Sequence, residues 1–268
     1  MQLLKNWRKV LPKIKEKTPI LLLDYDGTLT PIVKRPDLAN LSLKNRKTLK
    51  DLSVKFFVCI ISGRKISDVR KKVGIKGIFY AGNHGFEVFG PSINKVFGGS
   101  RFSKKEASII ARKLKAKTKA LKGILIEDKG ITISMHYRLA SRKNHQKAEK
   151  IFSAIVKPYV SAKKIRISHG KKVAEIRPNI SWDKGRAALW FIKMLKKKHG
   201  LKKVLPIYLG DDTTDEDAFK ALKKRGITVL VGTRKTAAEY SLRNVDKVYR
   251  FFQKIIYNVK CNEQKSKG

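Results

Sequence analysis

Four short stretches of the chain are apolar at nearly every position instead of at alternate ones: Ile20 to Leu23, Phe56 to Ile61, Ile207 to Leu209 and Thr228 to Val231. Strands of that kind are buried on both faces, as in a parallel sheet. Each run gives way to polar or glycine-rich residues. Between the runs, apolar positions recur at helical spacing, as with Ala188, Ile192 and Leu195 after Lys184, or Ala218 and Leu222 after Asp217. Strand alternating with helix predicts an open α/β core, its parallel sheet covered by helices on both faces.

One segment departs from that rhythm. A helical pattern (Ala107, Ile110, Leu114, with lysines opposite) is followed by Gly123-Ile124-Leu125-Ile126, a polar turn at Glu127-Asp128-Lys129-Gly130, and Ile131 to Met135. Two apolar runs around a short polar, glycine-containing stretch predict a hairpin. A second helix (Ala148, Ile151, Phe152, Ile155) and a short strand (Lys164 to Ile167) complete a small α+β unit. The expected layout is a core of residues 1–95 and 173–268, with an inserted cap domain of 96–172.

Composition narrows the setting. The longest uncharged apolar stretches, such as Pro19 to Leu23, fall far short of the ~20 residues of a membrane span. Charges interrupt Met1 to Val10 every few positions, so no secretion signal is read there, and a cytoplasmic location is the expectation. Cys59 sits in an apolar run and Cys261 in the polar tail; a bridge would tie the core to a fraying end, so both are expected as free thiols. Lys and Arg number 63 against 21 Asp and Glu, a formal charge of +42. That excess suggests a polyanionic partner only if it is focused. It is spread along the chain and lacks aromatic-basic interleaving, so it reads as a solvated lysine-rich surface and nucleic acid is not the expected partner.

The chemistry gathers where strands end. Asp24 and Asp26 lie two apart at the end of the first run, just before Gly27. Residues i and i+2 of an extended segment project to the same side, and ligands of open α/β sheets bind off the carboxyl ends of the strands. Taken alone, the pair reads equally well as a turn capping its own N–H groups. Ser62-Gly63-Arg64 follows the second run, where a hydroxyl and backbone N–H groups at a helix start can hold an anion. From Asp211 to Asp217 five of seven residues are acidic. Clustered carboxylates need a compensating cation, and oxygen ligands near phosphate suit Mg²⁺. Thr214 to Asp217 can cap a helix, which leaves Asp211 and Asp212 unexplained. Lys184, between Asp183 and a helix, can offer its ammonium to a phosphate and to Asp24.

Taken in order, Asp24-Tyr25-Asp26-Gly27-Thr28-Leu29, Ile61-Ser62-Gly63-Arg64, Lys184 and Gly210-Asp211-Asp212 resemble the four signatures of the haloacid dehalogenase (HAD) superfamily. Along nearly its whole length the chain further resembles the trehalose-6-phosphate phosphatase family. That likeness runs through Ala81-Gly82-Asn83-His84-Gly85-Phe86-Glu87, Met135-His136-Tyr137-Arg138, Glu175-Ile176-Arg177-Pro178, Trp182-Asp183-Lys184-Gly185 and Gly210 to Phe219, with Asn83 standing where the family often has Ser. The resemblance implies a Rossmann-like HAD core with an inserted cap, and hydrolysis of trehalose 6-phosphate; with no fused synthase domain in the sequence, a free-standing phosphatase is the expectation, a separate synthase being its candidate partner. It makes Asp24 nucleophile and Mg²⁺ ligand, Asp26 acid/base and, through its carbonyl, a metal ligand, and Asp211 the remaining ligand, with Asp212 and Asp215 supporting the metal. Ser62 and Lys184 would hold phosphoryl oxygens. Gly63, Arg64, His84, Glu87, Glu127, Lys129, His136, Arg138, Glu175 and Arg177 would bind substrate. Two alternatives stay open: another sugar phosphate, such as a glycosylglycerate or sucrose phosphate, and a nucleic-acid-binding protein on a HAD fold. A kinase or ATPase is not indicated, because no Gly-x-x-x-x-Gly-Lys-Ser/Thr loop occurs.

Overall fold

Residues 20–23 are completely buried, and the strand they form, β1 (Thr18–Leu23), has neighbours on both sides. The computed structural model describes residues 1–97, 102–170 and 172–259; Cys261 and the tail expected to fray lie outside them. Cys59 is buried in the sheet of the larger unit. Two units are present, Met1–Phe97 with Trp182–Gly268, and Gly98–Ser181.

In the larger unit the strands are β1, β2 (Phe57–Ile61), β3 (Phe79–Gly82), β4 (Glu87–Gly90), β5 (Ile93–Val96), β10 (Val204–Gly210), β11 (Ile227–Val231) and β12 (Tyr240–Leu242). They form one sheet in the order β12-β11-β10-β1-β2-β3-β4-β5. The first six in that order run parallel. Strands β4 and β5 turn back antiparallel, an edge extension that the runs of apolar residues did not reveal.

Alternation along β1 divides the core in two. Leu21 and Leu23 pack with α1 (Trp7–Lys15), α2 (Leu43–Lys55), α3 (Ile66–Val73) and α8 (Val245–Asn258), whereas Ile20 and Leu22 pack with α6 (Lys184–His199) and α7 (Glu216–Leu222). Both faces are therefore covered, as a parallel sheet requires. Helix α6 starts where Asp183 accepts the Arg186 N–H at 2.8 Å, and it ends at Gly200 in the left-handed region. A Cβ on Gly185 would meet the Asp217 carbonyl oxygen at 2.5 Å. Glycine there lets α6 lie close against the start of α7.

The smaller unit is a four-stranded antiparallel sheet, β6 (Leu125–Asp128), β7 (Ile133–His136), β8 (Ile165–Gly170) and β9 (Val173–Pro178), in the order β6-β7-β9-β8. Its apolar face, with Ile126, Ile133, Met135, Ala174 and Ile176, packs on α4 (Lys104–Thr118) and α5 (Arg142–Ser161). Two expectations are corrected. The core was expected to resume at residue 173, yet β9 lies between β7 and β8, and the larger unit resumes at Trp182. Removing β9 would leave β8 without a ladder and β7 paired on one side only. Glu127 and Asp128, read as turn residues, belong to β6, because Glu127 pairs with Ser134 and Asp128 with Ile133.

Phe191 is fully buried on α6, with its ring 6.0 Å from that of Phe79. We expect Phe191→Ala to lower unfolding stability by about 3–5 kcal/mol, measured by urea titration.

Candidate active site

The parallel strands β1, β2 and β10 deliver Asp24, Ser62 and Asp211 at their carboxyl ends. Asp24 continues the ladder by donating its N–H to the Leu209 carbonyl at 2.9 Å. Asp24, Asp211 and Asp215 are all buried, each with one carboxylate oxygen within 4.8 Å of the others. Gly27 permits that approach: its φ is +81°, and a Cβ there would fall 2.2 Å from Asp211 Oδ2.

Lys184 enters the cluster from the first residue of α6. Its Nζ donates to Asp24 Oδ1 at 2.6 Å and to Asp215 Oδ1 at 2.8 Å. Asp215 Oδ1 also accepts the Tyr208 hydroxyl at 2.8 Å. Its other oxygen takes the backbone N–H groups of Asp211, at 3.0 Å, and Asp212, at 2.9 Å. Asp215 thus anchors the lysine and the turn that carries Asp211. Asp212, expected as support for a metal, instead turns Oδ1 to the Thr213 N–H at 2.8 Å and caps the short helical turn that follows.

Three carboxylates against one ammonium leave an excess of negative charge in a buried place. Burial pushes the Asp24 carboxyl well above its ordinary range; Lys184 pulls it back, and Asp215 and Asp211 push it further up. Burial by itself would lower the Lys184 ammonium, yet Asp215 and Asp24 outweigh it and hold the group charged. Burial and the adjacent Asp215 also keep the Tyr208 hydroxyl protonated. A hard divalent cation bound by oxygen ligands fits this donor set and its charge.

Asp26 stands apart from the cluster. Its carboxylate is gripped by Arg64, Nε to Oδ2 at 2.7 Å and Nη2 to Oδ1 at 2.6 Å. The same guanidinium donates to Asp68 at 2.7 Å and to the Pro36 carbonyl at 2.8 Å, and it lies 5.3 Å from the centre of the Tyr25 ring. Arg64, read as a substrate ligand, is thereby occupied in orienting Asp26. Ser62 Oγ accepts the Arg64 N–H at 3.1 Å, leaving its own O–H to donate. The turn after β3 is strapped onto this loop: the Asn83 N–H donates to the Arg64 carbonyl at 2.7 Å and the His84 N–H to the Ser62 carbonyl at 2.9 Å. The His84 ring lies over Gly63, 2.6 Å from where a Cβ would be. Glu87 accepts from Asn83 Nδ2 at 2.7 Å.

In the smaller unit, five of the expected sugar ligands form one network on the polar face of the sheet. Glu175 accepts Lys129 Nζ at 2.9 Å and Arg177 Nε at 2.6 Å, and Ser134 Oγ donates to it at 3.3 Å. Glu127 pairs with His136 at 2.9 Å and reaches Lys129 Nζ at 4.0 Å. Arg138 is exposed in the turn beyond β7. Tyr208, Asp68 and Arg234 were missed in the sequence. Their contacts are tertiary, and a tyrosine in a buried strand, an acid in a helix and an arginine in a basic chain send no local signal.

The fold is that of the HAD hydrolases. A haloacid dehalogenase-like hydrolase from Bacteroides thetaiotaomicron superposes with a TM-score of 0.60 at 17% identity, over 89% of this chain and all (100%) of that one. The sequence profile of the trehalose-phosphatase family matches residues 22–246. Trehalose-phosphate phosphatase B of Arabidopsis thaliana is 34% identical over 261 residues, 92% of this chain and 69% of that protein. The C-terminal domain of C. albicans trehalose-6-phosphate phosphatase superposes with a TM-score of 0.77 at 26% identity, covering 94% of this chain and 97% of the other. The chain belongs to the trehalose-phosphatase family, and so to the phosphoric monoester hydrolases.

Replacing Lys184 with Met should leave the three carboxylates uncompensated and cost about 3–5 kcal/mol at neutral pH. A carboxyl whose folded pKa is raised loses stabilising effect as pH rises. The deficit of Lys184→Met should therefore shrink as pH falls from 7 towards 5, as read from urea unfolding of parent and variant at both values.

Proposed function

We propose that the protein hydrolyses trehalose 6-phosphate to trehalose and phosphate through an aspartyl-phosphate on Asp24, with Mg²⁺ as cofactor. The observation that carries the reading is the buried Asp24 bonded to Lys184 at 2.6 Å and grouped with Asp211. Asp24 and Asp211, with the Asp26 backbone carbonyl, would hold the ion, and Asp215 would position the lysine and the turn. When bound, magnesium would offset negative charge on the phosphoryl oxygens and on Asp24.

Asp24 attacks phosphorus in line, and the bond from phosphorus to the sugar oxygen breaks as the new carboxylate oxygen–phosphorus bond forms. Lys184 has three donors; Asp24 and Asp215 use two, and the third is directed to a phosphoryl oxygen together with the Ser62 hydroxyl. Asp26 gives its proton to the departing sugar oxygen and then removes one from the water that releases phosphate from Asp24. Both Asp26 oxygens accept from Arg64, so the exchange requires one of these bonds to give way to the substrate; the 38% exposure of the Asp26 side chain leaves it reachable, whereas Asp24 is shut in.

The disaccharide requires many hydroxyl partners, and the network of Glu127, Lys129, His136, Glu175 and Arg177 supplies donors and acceptors already ordered by one another. Ordering beforehand reduces what binding must spend on immobilising side chains. His84 and Glu87 are assigned to the same task. No helix among the described residues is long and apolar enough to cross a membrane. On this reading a trehalose-6-phosphate synthase is the source of the substrate.

Phosphate release from trehalose 6-phosphate in the presence of Mg²⁺ tests the reading. Asp26→Asn should slow turnover by about 10²–10⁴-fold, and Asp24→Asn by more. Near-parent activity of a folded Asp24→Asn protein refutes the nucleophile. Comparable rates on sucrose phosphate or a glycosylglycerate phosphate refute the choice of sugar.

A further inference from the structure

The turn bearing Asp211 is held from two sides, and one of the two anchors comes from a distant loop. Asp215 takes the N–H groups of Asp211 and Asp212. The carbonyls of the same two residues point to Arg234, in the loop after β11. Nε donates to the Asp211 carbonyl at 3.1 Å, and Nη2 to the Asp212 carbonyl at 2.6 Å. The fork of the guanidinium spans both peptide oxygens with donors held in one fixed plane. Arg234 is itself fixed, since Nη1 donates to Glu216 and to the Lys235 carbonyl. Glu216 in turn takes the Thr236 hydroxyl at 2.8 Å and the Ala237 N–H at 2.8 Å. Helix α7 and the loop of residues 232–239 are thereby tied together across the turn.

From this geometry we infer that Arg234 is a positioning residue for the cation site, holding Asp211 against Asp24. The inference rests on the reading of Asp24 and Asp211 as Mg²⁺ ligands. Like charges packed together tend to separate, and one way for Asp211 to relieve its repulsion from Asp24 and Asp215 is to rotate the peptides on either side of it. Arg234 and Asp215 between them bind both N–H groups and both carbonyls of the Asp211-Asp212 turn, so that relaxation is blocked. The ligands are then gathered before the ion arrives, and binding does not have to meet the cost of gathering them. Glu216 balances the charge of Arg234, so the guanidinium acts through geometry and does not add an unpaired positive charge beside the ion.

The test is Mg²⁺ binding by isothermal titration calorimetry, with a Mg²⁺ titration of phosphate release from trehalose 6-phosphate alongside. Arg234→Ala should weaken Mg²⁺ binding by about 10–100-fold, the range for residues that support metal ligands. It should raise the Mg²⁺ concentration for half-maximal rate by the same factor, with kcat at saturating Mg²⁺ close to the parent's. A purely structural role would lower the melting temperature and leave the Mg²⁺ midpoint in place. A folded Arg234→Ala protein that binds Mg²⁺ as tightly as the parent overturns the inference, as does a fall in kcat with an unmoved midpoint. If that variant does not fold, Glu216→Gln serves, being expected to weaken binding in the same direction by less, and no change overturns the inference. A parent that binds no Mg²⁺ overturns the metal reading and this inference with it, whereas a binding parent with an indifferent Arg234→Ala overturns this inference alone.

Discussion

A lysine ammonium with 3% of its side chain exposed must be answered by carboxylates, and the active end of the larger unit is organised around how Lys184 is answered. A buried charge left without partners is among the most costly features a fold can carry. Meeting that demand brings together Asp24 from β1 and Asp215 from beyond β10, 160 and 31 positions away along the chain. Asp215 does more than neutralise. Because its oxygens also receive Tyr208 and two backbone N–H groups, the position of the lysine and the position of the Asp211 turn are set by the same carboxylate. Close packing of α6 on α7, which glycine at 185 permits, is the backbone counterpart of that bond.

Two aspartates that share a motif are thus given opposite electrostatic surroundings. Asp24 lies among carboxylates, its proton affinity raised by burial and by its neighbours, with one lysine opposing them. Asp26 is turned towards a guanidinium that is itself held by Asp68, Pro36 and the face of Tyr25. The two side chains of one motif are thereby committed to different partners, Asp24 to Lys184 and Asp26 to Arg64. It also explains why loops after β1, β2 and β3 are laced together: the Arg64 that orients Asp26 has its own backbone carbonyl fixed by Asn83.

The parts of this arrangement that were legible in the sequence are those with local causes. Continuous burial writes itself as continuous apolarity, so β1, β2, β10 and β11 could be read from the pattern of apolar runs. The acidic run beginning at Asp211 stood out against a basic chain, and the ordered motifs assigned it a partner in Asp24. What escaped were consequences of pairing at a distance. Strand β9 carries Glu175 and Arg177 in a pattern that suits either unit, and only its ladders with β7 and β8 decide the matter. Arg64 was expected to face a ligand, but its donors meet acceptors from a neighbouring loop and helix. Capping was read for Thr214 to Asp217 and not for Asp212, yet Asp212 caps the turn after it, whereas Asp215 also anchors Lys184.

The chain leaves the larger unit after Phe97 and returns at Trp182, and these two rings stack with centroids 4.0 Å apart and planes within 23°. The eight-stranded sheet is complete without anything that lies between them. Exit and re-entry points so close together are what allow one folded segment to be spliced into another without disturbing it. The segment between Phe97 and Trp182 is in that sense a cassette. Its polar network could be replaced by exchange of that one contiguous segment, leaving in place the elements of the larger unit that carry Asp24, Asp211 and Lys184.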